Sequence, residues 1–535
     1  MEMVRKECSP KTTIRNIKKI LKENKLKVKE IKVKNIYKKF YSIRLELKGF
    51  YNLGTNGKGL SKDLARASAY AELMERIQSK LLINTYFLNL ENNLFSFKNE
   101  KTMNLIDNNL DDLLATFFDE DVDIVSFLKN NDKYNVIDKY KNLLTNKYAD
   151  LPSKLINATS FSNGLCAGNN YYEAVNQGIC EIFERYCYRE ILFNTCKLSN
   201  IIIDNTLPIY ERIQTIKRNG FNVYIKDCTL DKYPVIGVLI TNEDNTKYIF
   251  TVGSDVSLNI AIQRCLTEAF QGLSNDKDVI KKMKDYNNNY NSFDKYERKT
   301  NWLNNYSSNN GIHPVEMFSS IKEVNYKSVK VFKSINTNKK IYDYLLNIIK
   351  INNLNIYIKD LSYLGFNTYK IFIPNLSTID IINSNEKEII KEYDFLKNIY
   401  FNLDNCNEED AKKAIKIIKN VLCNKKFSFV SLGSYFHSNS YLKTNYNSIT
   451  FELFYALLHF KFNIKLNYNH LTSKKLINYL KDLNSDNMYE EIINNLNLAL
   501  PSCPNCNCCK LRKKCKYKNW KQVNNILNEK EKTFQ

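Results

Sequence analysis

The 535-residue sequence predicts a mixed α+β fold followed by a smaller helical domain. Strand, turn and helix units recur three times in the first part of the chain, and Ile43, Leu45 and Leu47 alternate as in a half-buried strand. From about residue 386 the pattern becomes helical, with amphipathic or buried segments at 411–422 and 449–460. We therefore expect four regions: an α+β domain over 1–388, a helical domain over 389–500, a cysteine cluster over 501–520 and a tail over 521–535.

The elements follow from local patterns along the chain. The first half predicts a basic helix and a strand within 1–50, a first motif helix to about residue 82, Asn- and Asp-rich helices and loops over 85–150, and a second motif helix from Tyr171 to about Phe193. Next come a helix near 208–219, a hairpin from Pro234 to Gly253, a third motif helix, a polar stretch at 281–310, and a helix with two strands within 340–385. The polar stretch is low in complexity, which predicts a mobile insertion.

One helical signature recurs three times. Its copies are Ser68-xxx-Glu72-xx-Glu75-Arg76, Gln177-xxx-Glu181-xx-Glu184-Arg185 and Arg264-xxx-Glu268-xx-Gln271. Spacings of three and four place the residues of each copy on one helix face. Each helix follows a turn with glycine, at 57–59, 164–168 and 253, where glycine permits positive φ or a close backbone approach.

These acidic faces indicate a site for metal and phosphate. Five glutamates on one cleft wall would repel each other unless cations lay between them. Mg²⁺ binds through one or two carboxylates and takes phosphate oxygens, and the arginine fork suits phosphate. The pattern therefore predicts a nucleotide site, although no Walker motif is present. The alternative is that each copy is a solvated helix face whose Glu–Arg pairs contribute a few tenths of a kcal/mol.

At these residues the sequence resembles the YcaO family, ATP-dependent enzymes that activate a peptide backbone amide. The matching segments are 55–78, 162–186, 252–272 and 356–377, in the family's order. The resemblance implies a YcaO-type fold with sheets and helices around a central ATP cleft. It implies a magnesium set of Glu72, Glu75, Glu181, Glu184 and Glu268. It also implies an ATP-binding set of Lys11, Thr13, Ser68, Arg76, Asn163, Gln177, Arg185 and Arg264.

The resemblance further implies phosphorylation of the substrate amide oxygen, coupled to attack of a nucleophile on the amide carbon. A Cys, Ser or Thr side chain of the substrate would give an azoline, and sulfide would give a thioamide. Phosphoryl transfer needs mainly positioning and charge neutralisation, so no catalytic acid or base is expected from the protein. Azoline-forming members commonly end in a proline-rich tail, whereas this chain ends Glu531-Lys532-Thr533-Phe534-Gln535. The residues of the motifs resemble the long stand-alone branch, linked to β-methylthiolation of a small-subunit ribosomal protein, more closely than they resemble the azoline-forming members.

Three classes of function follow. The first is an ATP- and magnesium-dependent enzyme acting on an amide of a peptide or protein. The second is a nucleotide-binding accessory protein that brings a sulfur-transfer partner to a ribosomal protein. The third, a nucleic-acid-binding protein, is disfavoured because acidic faces repel phosphate unless metal intervenes. We also expect a homodimer.

The formal charge of +22 is concentrated at the two ends of the chain. Residues 1–50 include 16 basic and 5 acidic residues, and residues 501–535 include 9 basic and 2 acidic residues. A solvated lysine-rich face is the simpler interpretation, and attraction of an acidic partner or the ribosome is the alternative. No long apolar run or signal peptide is recognisable, so we expect a cytoplasmic protein without a membrane span.

The 14 cysteines form two groups. Nine are scattered from Cys8 to Cys423, where cytoplasmic free cysteines behave as small hydrophobes. The other five are Cys503, Cys506, Cys508, Cys509 and Cys515. Their density, the C-x-x-C opening and the flanking lysines predict a site for zinc or an iron–sulfur cluster. A redox dithiol and an unliganded tail are the alternatives.

Overall fold

The computed structural model describes residues 6–48, 54–81, 95–106, 110–286, 288–384, 392, 395–400, 402–423, 450–483, 487–495 and 517–534. Its α-helices are α1 (Pro10–Glu23), α2 (Lys62–Gln78), α3 (Asp111–Leu114), α4 (Ile124–Lys129), α5 (Ser153–Ser160), α6 (Tyr171–Phe193), α7 (Tyr210–Arg218), α8 (Leu258–Ala269), α9 (Asp276–Lys282), α10 (Lys295–Ser308), α11 (Asn338–Ile351), α12 (Glu408–Cys423), α13 (Phe451–Lys461), α14 (Lys474–Lys481), α15 (Met488–Asn495) and α16 (Tyr517–Thr533). Its strands are β1 (Val28–Glu30), β2 (Lys34–Ile36), β3 (Phe40–Leu47), β4 (Gly54–Gly59), β5 (Lys101–Thr102), β6 (Val136–Asn142), β7 (Tyr148–Leu151), β8 (Leu165–Gly168), β9 (Asn200–Ile202), β10 (Phe221–Asp227), β11 (Val235–Asn242), β12 (Lys247–Ser254), β13 (Lys284–Asp285), β14 (Glu323–Asn325), β15 (Tyr357–Asp360) and β16 (Asn367–Phe372). The predicted mixed α+β class is confirmed.

The strands form three sheets in the described part of the chain. In the first, β3 pairs with β1 and β2 along one edge and with β4 along the other. The second has the order β13-β12-β11-β10-β9-β14, in which only the β9–β14 pair is parallel. The third has the order β5-β6-β15-β16-β8, with β7 paired to β6. Each sheet contributes one strand, β4, β12 or β8, to a motif unit.

The three motif units are β4–α2, β8–α6 and β12–α8, and each places its strand directly against its helix. A Cβ atom added to Gly57 in β4 would lie 2.1 Å from the Ala65 carbonyl oxygen of α2. The same test at Gly168 and Gly253 gives 2.7 Å to the backbone of the following helix in both cases. Gly57 and Gly59, expected in a turn before the first helix, thus lie within β4. Glycine is needed there because the backbone of α2 leaves no space for a side chain.

Capping and apolar spacing explain the two longest motif helices. The Ser61 hydroxyl caps α2 by accepting from the Leu64 N–H, and the Asn170 side chain caps α6 by accepting from the Glu173 N–H. In α2, Ala65, Ala69, Leu73, Ile77 and their neighbours are buried at helical spacing. The opposite faces of the helices are therefore free to present the polar signature residues.

Two apolar clusters surround α2 and α6, whereas α8 packs in a third. One joins β8, β11, β12, β15 and β16 around α6, with Ile179, Phe183 and Ile371 fully buried. The other joins α1, β3 and α2 to α12, α13, α15 and α16, through residues such as Leu73, Phe454 and Leu527. The domain boundary expected at 388 falls within 385–391, outside the described residues, and stays a prediction.

Two local predictions are wrong. The polar stretch 281–310, expected to be mobile, contains α10, which begins with a capping box of Asp294 and Glu297. Trp302 anchors this helix, because its side chain is buried and donates to the Ile379 carbonyl at 2.8 Å. Residues 136–151, expected to be helix and loop, form the β6–β7 hairpin.

None of the helices within the described ranges combines the length and apolar character needed to cross a lipid bilayer.

Candidate active site

A cavity of about 470 Å³ lies between the three motif helices. This volume falls in the range of roughly 300–1,000 Å³ that is typical of small-molecule sites. The predicted site residues on its wall are Thr13, Ser68, Glu72, Glu75, Arg76, Gln177, Glu181, Glu184, Arg185, Arg264 and Glu268. The fold therefore gathers the acidic faces of α2, α6 and α8 on one cavity.

Cations from the chain stand beside most of these carboxylates. Arg76 lies 3.8 Å from Glu72 and 3.5 Å from Glu75, measured between guanidinium nitrogen and carboxylate oxygen. Arg185 lies 3.7 Å from Glu184. Lys58 of β4 forms an ion pair with Glu268. Within the described ranges, Glu181 has no basic group within ion-pair distance.

Burial makes this concentration of carboxylates costly. It raises the pKa of Glu75 to about 8, and Arg76 offsets only part of that shift. Burial also raises the pKa of Glu72 above its ordinary value. Burial thus disfavours the ionised carboxylates, and a further cation would stabilise them.

The N-terminal segment forms one rim of the cavity. The Lys6 ammonium lies 3.1 Å from the Glu173 carboxylate at the start of α6, and the Glu7 N–H donates to the same carboxylate at 3.1 Å. Burial tends to raise the pKa of Glu173, but Lys6 and the hydrogen bonds it accepts lower it overall. The Thr13 hydroxyl donates to Asn169 at 2.8 Å. This hydrogen bond therefore fixes the Thr13 side chain of α1 at the rim of the cavity.

Two of the predicted ATP-binding residues do not line the cavity. Lys11 is exposed near the start of α1. Asn163 is fully buried, its side-chain amide donates to the Ser377 carbonyl at 2.9 Å, and its backbone carbonyl accepts from Lys370 at 2.8 Å. Lys6, rather than Lys11, supplies the N-terminal lysine of the cavity wall. Only its position just before the helix could have indicated this in the sequence.

Arg185 is supported from behind by the helix that the sequence analysis missed. Its guanidinium carbon lies 5.5 Å from the centre of the Tyr306 ring on α10, a cation–π distance. The Tyr306 hydroxyl is hydrogen-bonded to Ser162 at 3.1 Å. The Arg185 Nε is buried and, within the described residues, has no hydrogen-bond partner. A buried guanidinium N–H without an acceptor is suited to donate a hydrogen bond to an anionic ligand.

These residues fit magnesium and a phosphate-bearing ligand. Burial disfavours the ionised form of Glu75 in spite of Arg76, and the buried Arg185 Nε lacks an acceptor within the described residues. Among the described residues, no three His, Cys, Asp or Glu side chains are already close enough to form a metal cage. Mg²⁺ needs only one or two carboxylates when phosphate oxygens complete its shell. The wall is suited to metal that arrives with a phosphate ligand.

The predicted zinc or iron–sulfur site at Cys503, Cys506, Cys508, Cys509 and Cys515 lies outside the described residues. The buried cysteines in the described part, including Cys166 and Cys180, are free thiols. Cys180 lines the cavity, where burial raises its pKa to about 12. It is therefore a neutral thiol rather than a nucleophile at neutral pH.

The part of the chain that forms this cavity is similar to a known protein family and to known proteins. The profile of the family described as YcaO cyclodehydratase, ATP- and Mg²⁺-binding, matches residues 56–377. An uncharacterized protein of Haemophilus influenzae is 26% identical over 369 residues, which cover 64% of this chain and 61% of that protein. The ribosomal protein S12 methylthiotransferase accessory factor YcaO of Escherichia coli is 27% identical over 347 residues, which cover 61% of this chain and 57% of that protein. The match thus spans about three fifths of each relative's length.

The chain is also similar to solved structures. A heterocyclase in complex with substrate and cofactor is 15% identical, with a TM-score of 0.47, and the match covers 70% of this chain and 53% of that chain. YcaO from Methanopyrus kandleri bound with AMPPCP and Mg²⁺ is 14% identical, with a TM-score of 0.46 and coverage of 69% and 92%. The family profile covers more than half of the sequence, including all three motif units. The chain belongs to the YcaO family.

Proposed function

We propose that this protein binds ATP with Mg²⁺ in the cavity between α2, α6 and α8 and uses it to activate a backbone amide of a peptide or protein. The observation that carries the proposal is the convergence of five glutamates and three arginines from three separate units on one wall. A solvated helix face does not explain that convergence, because the side chains of three separate helices face one shared cavity.

The roles of the residues follow from their chemistry. Glu72, Glu75, Glu181, Glu184 and Glu268 are the carboxylates available to magnesium. Arg76, Arg185 and Arg264 can bind phosphate oxygens through planar forks, and Ser68, Gln177 and Thr13 offer neutral hydrogen bonds. The bound metal would offset phosphate charge, while the chain holds the triphosphate in line with the amide.

The reaction we infer is phosphorylation of the amide oxygen. A nucleophile forms a bond to the amide carbon, the amide oxygen bonds to the γ-phosphorus, and the bond between that phosphorus and ADP breaks. The oxygen later leaves with the phosphate. A side-chain nucleophile would give an azoline and sulfide would give a thioamide. Positioning and charge neutralisation supply most of the rate in such transfers, so no side chain of the cavity is assigned as acid or base.

ATP turnover tests this proposal directly. We expect candidate peptides or a small-subunit ribosomal protein to stimulate ADP release, and Glu75→Gln or Glu184→Gln to abolish the release. Glu211→Gln, an exposed change on α7, is the matched control and should leave turnover intact. ADP release that stays flat across all candidate substrates would contradict the enzymatic proposal.

A second candidate is a nucleotide-binding accessory protein that assists β-methylthiolation of a small-subunit ribosomal protein. The name of the Escherichia coli relative favours it. This candidate predicts Mg²⁺-dependent nucleotide binding without peptide-stimulated ADP release. It also predicts nucleotide-dependent binding to a sulfur-transfer partner. Pull-down of the methylthiolating enzyme with and without ATP separates the two candidates.

A further inference from the structure

Lys58 lies on the cavity wall and has not been given a role in the proposed site. It is the residue between Gly57 and Gly59 in β4, and its ammonium group is paired with the Glu268 carboxylate of α8. The two side chains are 36% and 32% exposed, so the pair faces the open part of the cavity. Close packing of β4 on α2 fixes the backbone of Lys58 and leaves its side chain as the mobile part.

This pair differs from the other ion pairs of the acidic wall. Arg76 and Arg185 are paired with glutamates of their own helices, and so they remain near those carboxylates whatever else binds. Lys58 instead reaches from one motif unit to another. Its four-carbon stem is flexible, and its ammonium is a compact point charge. Among the cations paired with the five predicted magnesium carboxylates, Lys58 is therefore the one that can leave its partner with least change to the wall.

The surroundings of Lys58 indicate where it could move. Besides Glu268, the charges that act on it are those of Glu184, Arg264, Arg185 and Glu72. The two arginines are among those assigned above to phosphate. An ammonium group that left Glu268 would thus remain beside the groups proposed to bind the triphosphate. It could then add a charge-assisted hydrogen bond to a phosphate oxygen.

We propose that Lys58 neutralises Glu268 while no metal is bound and moves to the phosphate groups when Mg²⁺ takes that carboxylate. The inference rests on the proposed nucleotide site and gives Lys58 two successive partners. It predicts that Lys58 competes with Mg²⁺ and assists the nucleotide. A lysine that only anchors phosphate would not oppose the metal, and one that only stabilises the fold would affect neither ligand selectively.

Binding of a non-hydrolysable ATP analogue, measured by calorimetry across a Mg²⁺ series, tests the proposal on the full-length chain. In Lys58→Met the Mg²⁺ concentration for half-maximal binding should fall roughly two- to fivefold, because a partly exposed ion pair no longer competes. At saturating Mg²⁺ the dissociation constant of the analogue should rise about tenfold, because a charged contact to phosphate is lost. Lys62→Met, an exposed lysine four residues away, should change neither value.

If the Mg²⁺ concentration for half-maximal binding is unchanged or raised in Lys58→Met, the inference is overturned and the proposed function is left intact. Absence of Mg²⁺-dependent binding in the wild type would overturn both. If the variant does not fold, lysine acetylation of the wild type followed by mass spectrometry provides the readout. Mg²⁺ with the analogue should protect Lys58 but not Lys62, and Mg²⁺ alone should make Lys58 more reactive. Equal labelling of Lys58 in all states would reject the proposal.

Discussion

Glu30 of β1 connects the first sheet to helices α1 and α2. Arg66 of α2 donates two hydrogen bonds to its carboxylate, at 3.0 and 2.9 Å, and Tyr70 donates a third at 2.8 Å. Lys18 of α1 lies 3.0 Å away. The Arg66 fork is the main reason that the pKa of Glu30 falls to about 2, with burial opposing the shift.

We expect Glu30→Gln to lower the free energy of unfolding by about 2 kcal/mol at pH 7, because charge-assisted hydrogen bonds are lost. The folded-state pKa lies below the ordinary value, so this stabilisation is present above about pH 4.5 and is lost as pH falls toward 2. Urea unfolding at pH 7 and pH 3 measures the difference. Glu23→Gln, at an exposed position with a 4.0 Å ion pair, serves as control. A gap between Glu30→Gln and wild type that does not narrow at pH 3 would contradict this account.

Tyr306 is predicted to position Arg185 for the nucleotide. Tyr306→Leu removes the ring beneath the guanidinium group and should weaken Mg²⁺-dependent binding of an ATP analogue roughly three- to thirtyfold. Tyr306→Phe keeps the ring and loses only the hydrogen bond to Ser162, so its effect should be about twofold. Calorimetric titration of both variants gives the comparison. Equal losses in the two would show that the ring has no part in holding Arg185.

With the exception of Thr13, the predicted site residues that line the cavity belong to a spaced motif. The glutamates and arginines of the three helices follow a period that places them on one face, and all line the cavity. Lys6, Lys58 and Tyr306 come from segments without that period, so only tertiary packing brings the two lysines to the wall and the Tyr306 ring against Arg185. Lys11 and Asn163 show the opposite case. They resemble family positions, but Lys11 is exposed on α1, and Asn163 is buried in the turn before β8 with hydrogen bonds to Ser377 and Lys370.

At the scale of elements, the close packing of β4 on α2 positions the first acidic face. We expect Gly57→Ala to destabilise the protein by roughly 3 kcal/mol, because its Cβ would lie 2.1 and 2.4 Å from backbone atoms of α2. Asn56→Ala, at an exposed position of the same strand, should change stability by under about 1 kcal/mol. Thermal and urea unfolding of both variants test this. A stable Gly57→Ala variant would mean that the strand and helix are less closely packed than described.

The C-terminal helix α16 is held to the segment that follows α2. The Lys98 N–H donates to both oxygens of the buried Glu531 carboxylate at 3.2 Å, and Lys80 donates to Asn528 at 2.9 Å. Burial lowers the pKa of Lys80 to about 8, and Glu531 opposes that shift. Glu531→Gln should therefore cost about 2 kcal/mol of stability, and exposed Glu529→Gln almost nothing. Hydrogen exchange of α16 provides the measurement, and unchanged protection in Glu531→Gln would argue against this attachment.

Long elements with a clear period were predicted well. The span expected for the second motif helix agrees with α6 from Tyr171 to Phe193, and the hairpin after Pro234 agrees with β11 and β12. The β6–β7 hairpin was missed because β6 carries two lysines and an asparagine, β7 has only four residues, and the turn depends on the Asn142 side chain accepting from the Leu144 and Thr145 N–H groups. Helix α10 was missed because one buried tryptophan, rather than an apolar stripe, holds it to the body.

At the scale of the whole molecule, three units of similar construction meet at one cavity. Each presses a glycine-bearing strand against a helix that carries acidic residues and an arginine. The sequence predicts the units, but their convergence depends on three sheets and three apolar clusters that no local pattern specifies. The resemblance to a known family supplied that arrangement as an expectation.

Magnesium-dependent binding of a non-hydrolysable ATP analogue is the most direct test of the central claim. Calorimetry should show binding to the wild type with Mg²⁺ and its loss with EDTA. Glu75→Gln and Glu184→Gln, on different helices, should each weaken it at least about tenfold. Glu211→Gln should match the wild type. Equal binding by the two cavity variants and the wild type, or equal binding with and without Mg²⁺, would contradict the claim that α2 and α6 share one metal–nucleotide site.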